Sequence, residues 1–465
     1  MTPEQWRDRL AARLIDRQRG LARLQAYYDG DHPLPQGPKK VTEKFRRLQR
    51  EARTNWMALV VDAVAERLQV VGFRFGEETG GDDVAWRIWQ TNHLDADHKL
   101  VHADALTLGC SYVLVWPDAT HPAGVRITAE HASQCIVDYV PGDRRERAAG
   151  LKLWRDRDGF VYATVYLPGE VWRWVSDRPT TGLVESIQWQ ARSIDGEQWP
   201  APTGLDAVPL VELRPRPRWD GTGRSELDGL TDIQDRINTT IFGRLVAAEF
   251  SAFRQRWATG MDIPEDDDGN PREPFEAAVD RLWVSTDPDT KFGEFSETDL
   301  ANYVRAVEAD VTHLAAISKT PPHYLLGALV NASGDALKSA ETGLVSKAKD
   351  RQAFLGEDWE QVMRLALAAI GDPRAEDYQS EVIWRDPENR SEGELVDALT
   401  KMRGLGVPLE VLWQRWGASP QEISRWKAMA AEDALLAAIA TQPAAVTASA
   451  TAPDAAMTGT AAGGV

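Results

Sequence analysis

Apolar residues recur at helical spacing through the N-terminal part of the chain. Thr2-Pro3-Glu4-Gln5 places an N-cap residue, a proline at the first helical position and a capping-box glutamine in order. The same spacing predicts further helices over residues 54–68 and 86–108. The apolar positions of the first helix share one face, which Gly30 ends: Leu10, Leu14, Leu21, Leu24 and Tyr28.

The hydrophobic period changes to two between Ser111 and Leu213. Alternating runs such as SYVLVW, FVYATVYL and EVWRWV are separated by turn pairs, among them Asp158-Gly159 and Pro168-Gly169. Much of the tryptophan of the chain lies here, where half-buried strand surfaces suit large rings. The pattern therefore predicts a β-rich insert.

Helical spacing returns at Ser225. Ser225 to Asp228 is a variant of the capping box, and the apolar positions behind it predict a long helix that reaches Phe250. The following stretch is irregular, apart from a short β element predicted around Leu282 to Val284.

A second helix of this region is predicted to begin within Ser296 to Asp299. Its apolar seam, Leu300 to Leu314, follows alternating steps of four and three, which is typical of a helix that packs against another helix. Lys319, Pro321 and Pro322 end it, because the residue before a proline disfavours the helical conformation.

An apolar loop, Tyr324 to Gly334, separates this helix from a much longer one. The stripe from Asp335 to Ile370 predicts a single helix on the order of 50 Å long. Two capping-box sequences, which begin at Ser391 and Ser419, predict the starts of helices in a C-terminal helical region. The Ala/Thr/Pro/Gly-rich sequence from Thr441 onward predicts a disordered tail.

Composition narrows the class of protein. A chain of 465 residues, 43% of them hydrophobic, can bury a core in more than one domain. A formal net charge of −18 argues against a protein that coats nucleic acid, since that binding depends on cations that neutralise phosphates. No apolar run is long enough for a membrane span, and Cys110 and Cys135 fit a reducing cytoplasm rather than a disulfide framework.

Catalytic and metal-binding patterns are incomplete. His98 and His102 are spaced as in a zinc protease, but a lysine replaces the required glutamate, and we interpret them as histidines on a solvated helix face. The acidic run Asp266 to Gly269 lacks the ligands of a calcium loop at its first and twelfth positions, where Pro264 and Phe275 stand.

The motifs that bind phosphate or carry a catalytic nucleophile are also absent or incomplete. No P-loop or G-x-S-x-G motif occurs, and Gly221 and Gly223 lack the third glycine of a dinucleotide fingerprint because Glu226 stands there. The sequence therefore predicts no catalytic residue, no metal and no cofactor, and a protein that is not an enzyme.

Four stretches, in order, resemble the portal proteins of tailed double-stranded DNA bacteriophages, the rings through which DNA enters and leaves the capsid. They are YYDGDHPLP, ALTLGCSYVLVW, VPLVELRPRPRWDGTGRSELDGLTDIQDRINTTIFGRLVAAEF and SKTPPHYLLGALVNASGDALKSAETGLVSKAKDRQAFLGEDW, and they span Tyr27 to Trp359. The resemblance implies an α+β fold, mainly α-helical, with long stem and wing helices and a β-rich insert.

The resemblance also implies a division of the chain. The wing would comprise 1–224 and the long helix with its following strand, 335–390. The remaining parts would be a first stem helix (225–259), a clip (260–295), a second stem helix (296–319), a channel loop (320–334), a crown (391–440) and the tail (441–465).

The site residues that the resemblance implies lie in the channel loop. Leu329, Val330, Asn331 and Ser333 would face DNA without ion pairs that stall it, and acidic walls would repel the phosphate backbone likewise. Lys319 and Lys338 flank the loop and are candidates for weak phosphate contact, although lysines near helix ends are often only solvated.

The partners implied are protein and DNA, with no membrane. The chain would form a homo-oligomeric ring of about twelve subunits at the capsid portal vertex of the virion, after assembly in the host cytoplasm. The ring would dock the terminase large subunit and then a head-tail adaptor, contact major capsid and scaffolding proteins, and pass double-stranded DNA without sequence specificity.

Other interpretations remain open from the residues alone. Helical spacing by itself favours a loop that only connects two packed helices, with Leu325, Leu326 and Leu329 buried in a local core. The seam from Leu300 to Leu314 could likewise be an ordinary contact between helices of one chain instead of part of a subunit interface. A non-enzymatic cytoplasmic protein-binding scaffold is a second candidate function. A nucleic-acid enzyme built from scattered carboxylates is a third.

Overall fold

The computed structural model of the chain describes residues 1–37, 43–76, 80–180, 187–194, 199–252, 256–260, 288–294, 299–327, 334–388 and 392–440. The fold is α+β, with helices and separate antiparallel sheets. Contacts divide the chain into two compact units, one from Met1 to Glu394 and one from Leu395 onward. The predicted tail from Thr441 lies outside the described residues.

Most of the N-terminal helices lie where the sequence predicts a helix, whereas the helix Glu43–Ala52 was not predicted. Thr2 and Gln5 form both bonds of the capping box, and Gly30 ends the first helix with φ 79°. The predicted helix over 86–108 is divided, because His93 adopts a left-handed conformation with φ 58°. The helices are α1 (Pro3–Asp29), α2 (Glu43–Ala52), α3 (Met57–Ala65), α4 (Asp83–Thr91) and α5 (Leu94–Leu108).

The β-rich insert forms two sheets. One has the order β10-β2-β3, and the other has the order β4-β5-β6-β7-β8 with β9 also paired to β7. Sequential strands pair in the larger sheet, as alternating runs joined by short turns predict. The strands are β2 (Ser111–Pro117), β3 (Val125–Glu130), β4 (Cys135–Tyr139), β5 (Arg147–Arg155), β6 (Val161–Leu167), β7 (Glu170–Ser176), β8 (Trp189–Ala191), β9 (Ala201–Pro202) and β10 (Leu210–Leu213).

A further two-stranded sheet joins distant parts of the chain. β1 (Val70–Arg74) pairs antiparallel with β13 (Glu381–Trp384). No sequence pattern predicts β1, because a five-residue strand whose partner is far along the chain lacks a local turn signal.

The first predicted stem helix is shorter than its assigned range, 225–259. Helix α6 (Thr231–Ala252) begins six residues late, because Ser225 stabilises a turn in which its hydroxyl accepts a hydrogen bond from the Leu227 amide at 2.9 Å. Its C-terminal end is also misassigned, since Arg256–Thr259 is a strand, β11, paired with β12 (Lys291–Glu294). The β element predicted around Leu282 to Val284 lies outside the described residues.

The later helices confirm their sequence signals. Asp299 caps α7 (Leu300–Ser318), and the short helix α8 (Pro322–Leu326) follows the prolines. Helix α9 (Gly334–Ala369) is continuous, with the predicted stripe fully buried at Leu344, Leu355 and Trp359. A 3-10 turn, Pro373–Glu376, precedes β13.

The C-terminal unit is helical over its described residues, which end at residue 440. Its helices are α10 (Glu392–Gly404), which begins just before the unit boundary, α11 (Leu409–Trp416) and α12 (Pro420–Ala440). The predicted box at Ser419 is present, since the Ser419 amide donates to the Glu422 carboxylate at 2.8 Å. Ser391 lies outside the described residues.

The prediction that His98 and His102 lie on a solvated helix face is wrong. His98 and His102 are buried rather than solvated, because α5 is covered on more than one side. The indole N–H of Trp359 donates to His102 Nε2 at 2.8 Å, so Nδ1 carries the proton and donates to the Leu68 carbonyl at 3.1 Å. Burial, with a smaller effect of His98, lowers the pKa of His102 to about 3. The pair is a neutral core element.

Within the described residues, no helix is long and apolar enough to cross a membrane.

Candidate functional site

Helices α6 and α7 form an antiparallel hairpin. Arg236 forms two ion-pair contacts with Asp310, at 3.0 and 2.8 Å. About two turns along each helix, Tyr303 packs against Gly243. A Cβ at Gly243 would lie 3.1 Å from the Tyr303 ring, so the glycine allows close helix packing. The β11–β12 ribbon extends this hairpin at the end where α6 finishes and α7 begins.

The opposite end of the hairpin is held by a buried amide network. The Asn238 side-chain oxygen accepts hydrogen bonds from the amide and hydroxyl of Thr54 at 3.2 and 2.9 Å, and its nitrogen donates to His32 Nε2 at 2.7 Å. Gln234 accepts from the Trp56 amide at 2.9 Å and donates to the Thr54 carbonyl. These bonds orient α6 relative to the segment between α2 and α3.

The stretch YYDGDHPLP contributes to the same network. The Tyr27 hydroxyl donates to Asp235 at 2.8 Å, and its ring stacks on His32 at 5.0 Å. The Tyr28 hydroxyl donates to Asp62 at 2.9 Å. Burial and these carboxylates raise the pKa of both tyrosines to about 12, so both remain protonated donors. Sequence reasoning missed these roles, because Asp235 lies about two hundred residues away.

A second buried cluster, Glu226 with Lys347 and Arg351, joins the turn before α6 to α9. Glu226 lies 2.8 Å from the Lys347 ammonium and 2.7 Å from Arg351. Burial opposes its ionisation, but the two cations outweigh burial and lower the pKa of Glu226. Lys347 also donates to the Ser318 carbonyl at 3.0 Å, which connects the cluster to the end of α7.

The segment before the predicted channel loop is fixed to the body. The Trp56 indole donates to the Leu325 carbonyl at 3.0 Å, and Arg67 donates to the Tyr324 hydroxyl at 3.0 Å. Tyr324 in turn donates to Glu341 of α9 at 3.2 Å. Leu325 is buried as a local core predicts, whereas Leu326 is 41% exposed.

The predicted site residues are distributed unevenly in the structure. Lys319 is exposed at the left-handed C-cap of α7, with φ 55°. Lys338 contacts the carboxylate of Glu394, so its charge is already offset. The channel-loop candidates lie outside the described residues: Leu329, Val330, Asn331 and Ser333.

The described residues show how the incomplete metal-binding and dinucleotide-binding motifs of the sequence are arranged in the fold. Among the described residues, no group of three or more His, Cys, Asp or Glu side chains could hold a metal ion. Gly223 lies against Gly109 so closely that a Cβ would be 1.8 Å from the Gly109 oxygen. The glycine therefore serves a close approach of two backbones. Asp266 to Gly269 lie outside the described residues.

Comparison with known proteins identifies the family. The sequence matches the family described as phage portal protein, SPP1 Gp6-like, over residues 9–434. It is 30% identical over 420 residues to the portal protein of Mycobacterium phage D29, a match that covers 86% of this chain and 82% of that protein. The portal protein of Mycobacterium phage L5 is 29% identical with the same coverage.

Among solved structures, a chain from the neck of a native GTA particle, computed with C12 symmetry, matches with a TM-score of 0.45 at 13% identity. The match covers 82% of this chain and 95% of that chain. The sequence matches alone, across most of the chain and of its relatives, show that this chain belongs to the SPP1 Gp6-like family of phage portal proteins, structural head-to-tail connectors of the bacteriophage capsid.

Proposed function

We propose that this chain forms a ring of about twelve subunits at one capsid vertex, through which DNA is packaged and ejected. The observation that supports this most directly is the α6–α7 hairpin, which continues into the β11–β12 ribbon. The hairpin leaves apolar side chains uncovered, with Val304 39% and Ile317 61% exposed. Neighbouring copies in a ring would cover such surface.

We assign the parts of the ring from the resemblance to portal proteins, which the order of the elements supports. Helices α6 and α7 form the stem, and the residues around and between β11 and β12 form the clip, which docks the terminase large subunit and later the head-tail adaptor. The N-terminal helices, the β-rich insert and α9 form the wing, residues 391–440 form the crown, and the ring contacts major capsid and scaffolding proteins during assembly in the host cytoplasm.

The loop that follows α8 faces the channel in this assignment. The α8 residues just before this loop are held to the body by the Trp56–Leu325 and Arg67–Tyr324 bonds. The net charge of −18 repels phosphates and lets duplex DNA slide without sequence-specific contacts. Lys319 remains a candidate for weak phosphate contact, whereas the ion pair with Glu394 weakens that role for Lys338.

The solution mass of the full chain by light scattering, with negative-stain images of the same peak, tests the proposal. A homogeneous ring with a central hole wide enough for a duplex supports it. A monomer or dimer that forms no ring, even with scaffolding and capsid proteins added, supports the protein-binding scaffold instead. Cleavage of plasmid DNA with added divalent metal would support the nucleic-acid enzyme.

A further inference from the structure

A recessed cavity of about 130 Å³ lies between the β4–β5 loop, the segment after β10 and α9. One water needs roughly 10–15 Å³ on the same kind of measure, so the cavity has room for a carboxylate group. Its lining is unusual for so acidic a chain, because it contains five arginines against the carboxyl groups of Glu212, Glu357 and Asp358.

The two innermost arginines are incompletely paired. Within the described residues, the Arg147 guanidinium contacts neutral acceptors, the Val208 carbonyl at 3.2 Å and the Gln361 amide oxygen. Arg214 donates to the Gly221 carbonyl at 2.7 Å, but its buried Nε has no hydrogen-bond partner in the described part of the chain. Its nearest carboxylate oxygen, on Glu212, is 3.6 Å away.

The three carboxyl groups of the cavity offset only part of the charge of its five arginines. The Glu357 carboxylate lies 3.8 Å from the Arg145 guanidinium at the rim. Glu212 accepts hydrogen bonds from the hydroxyls of Tyr112 and Tyr139, at 2.6 and 2.9 Å. Asp358 accepts from the Arg214 amide at 2.8 Å, and burial raises its pKa to about 7, so part of this carboxyl is protonated near neutral pH. The cavity therefore retains an excess of positive charge.

The mouth of the cavity has the character of a protein-binding surface. Trp219 is 88% exposed, and the Arg144 guanidinium lies 4.6 Å from the centre of its ring. Arg145, 80% exposed, and Arg218 lie at the same rim. Tryptophan and arginine are the side chains that most often dominate the binding energy of protein interfaces.

We propose that this cavity receives a carboxylate side chain from a second copy of this chain, with Trp219 packed beside it. The inference rests on the proposed ring, because a ring interface joins two different surfaces of identical chains. A chain with 71 acidic and 53 basic residues offers mainly acidic surface to the arginines of its neighbour. The phosphate backbone of DNA is the other anionic group that arginines bind, and the experiment distinguishes the two.

The test uses the full chain and two variants of the rim, R144E/R145E and W219S. The matched control is R155E/R157E, which makes the same charge reversal at two exposed arginines, the last residue of β5 and one just after it. Ring formation is measured by light scattering over a range of protein concentrations, and thermal melting checks that each variant is folded. We expect both rim variants to need at least about tenfold more protein for ring formation, and the control to match the unmodified chain.

Each other outcome overturns the inference in a distinguishable way. Rings that form at the same concentration in all four proteins overturn the inference and leave the proposed ring intact. Unchanged assembly with weaker retention of duplex DNA by the rim variants shows that the arginines serve DNA. If all four proteins stay monomeric even with scaffolding and capsid proteins added, both the inference and the proposed function are overturned.

Discussion

The carboxylate of Glu226 and the ammonium of Lys347 lie 2.8 Å apart, and both side chains are almost completely buried. Arg351 contacts the same carboxylate at 2.7 Å, and Arg216 lies 3.6 Å from it. One acid thus holds several cations between the turn before α6 and the middle of α9, and Lys347 extends the contact to the end of α7. This carboxylate therefore helps to hold the helical hairpin against α9.

Replacing Glu226 with glutamine should destabilise the protein strongly. The change leaves buried cations without an anion, which costs roughly 3–5 kcal/mol. The measurement is the midpoint of denaturant unfolding. D397N is the control, because it removes the same kind of charge from the exposed pair of Asp397 with Lys401. Equal midpoints for the two variants would show that the buried cluster adds nothing.

The buried histidines should make the protein sensitive to acid. His102 has its pKa lowered to about 3, against an ordinary value of 6.5, so the unfolded chain binds more protons between these values. Stability from this group is complete above about pH 6.5 and is lost as the pH falls toward 3. His98 acts in the same direction, because burial also lowers its pKa.

Melting temperature as a function of pH measures this effect. The variant His102→Gln should lose less stability between pH 7 and pH 4 than the unmodified chain. His313→Gln is the control, since His313 is 65% exposed on α7. If H102Q and H313Q show the same pH dependence as the unmodified chain, His102 does not contribute to the acid sensitivity.

Gly223→Ala should impair folding, because the new methyl group would lie 1.8 Å from the Gly109 oxygen. The backbone of one of the two segments must move to accommodate it. Gly20→Ala is the control, since a Cβ at this position of α1 meets nothing within 4 Å. The change also replaces a glycine within a helix by a residue with less backbone freedom in the unfolded chain. We expect G20A to gain about 0.5–1 kcal/mol and G223A to give little soluble protein. Equal yields and melting temperatures would contradict the close approach.

Replacing Leu329 to Ser333 with glycines should leave ring assembly intact and impair DNA packaging or retention. The α8 segment before the loop is held independently, by the Trp56–Leu325 and Tyr324–Glu341 bonds. Negative-stain images measure assembly, and nuclease protection of packaged DNA measures retention. Loss of the ring would show instead that these residues belong to the structural core.

The sequence predicts those features whose causes are local. Asp299 caps α7, the prolines end it, and the apolar stripe of α9 is buried, because each signal lies within a few residues of its effect. The start of α6 was misplaced, since Ser225 can stabilise a turn as well as a helix. The solvated assignment of His102 was wrong, because spacing alone does not reveal how many sides of a helix are covered.

The features that the sequence does not reveal depend on distant partners. The roles of Tyr27 and His32 require Asp235 and Asn238 of α6, and the arginine cavity requires the β-rich insert and α9 together. The resemblance to portal proteins draws attention to YYDGDHPLP, but it does not show what the side chains of this stretch bind. The bonds become visible only when the folded chain brings these segments together.

The pairing of β1 with β13 has a consequence for synthesis of the protein on the ribosome. Val70 leaves the ribosome about 310 residues before Trp384, its partner. At roughly 5–20 residues per second, the edge of β1 therefore remains without its native neighbour for roughly 15 to 60 s. During that time each nascent chain carries an unpaired strand edge that neighbouring nascent chains could bind. Completion of the fold is thereby postponed until most of the polypeptide has emerged.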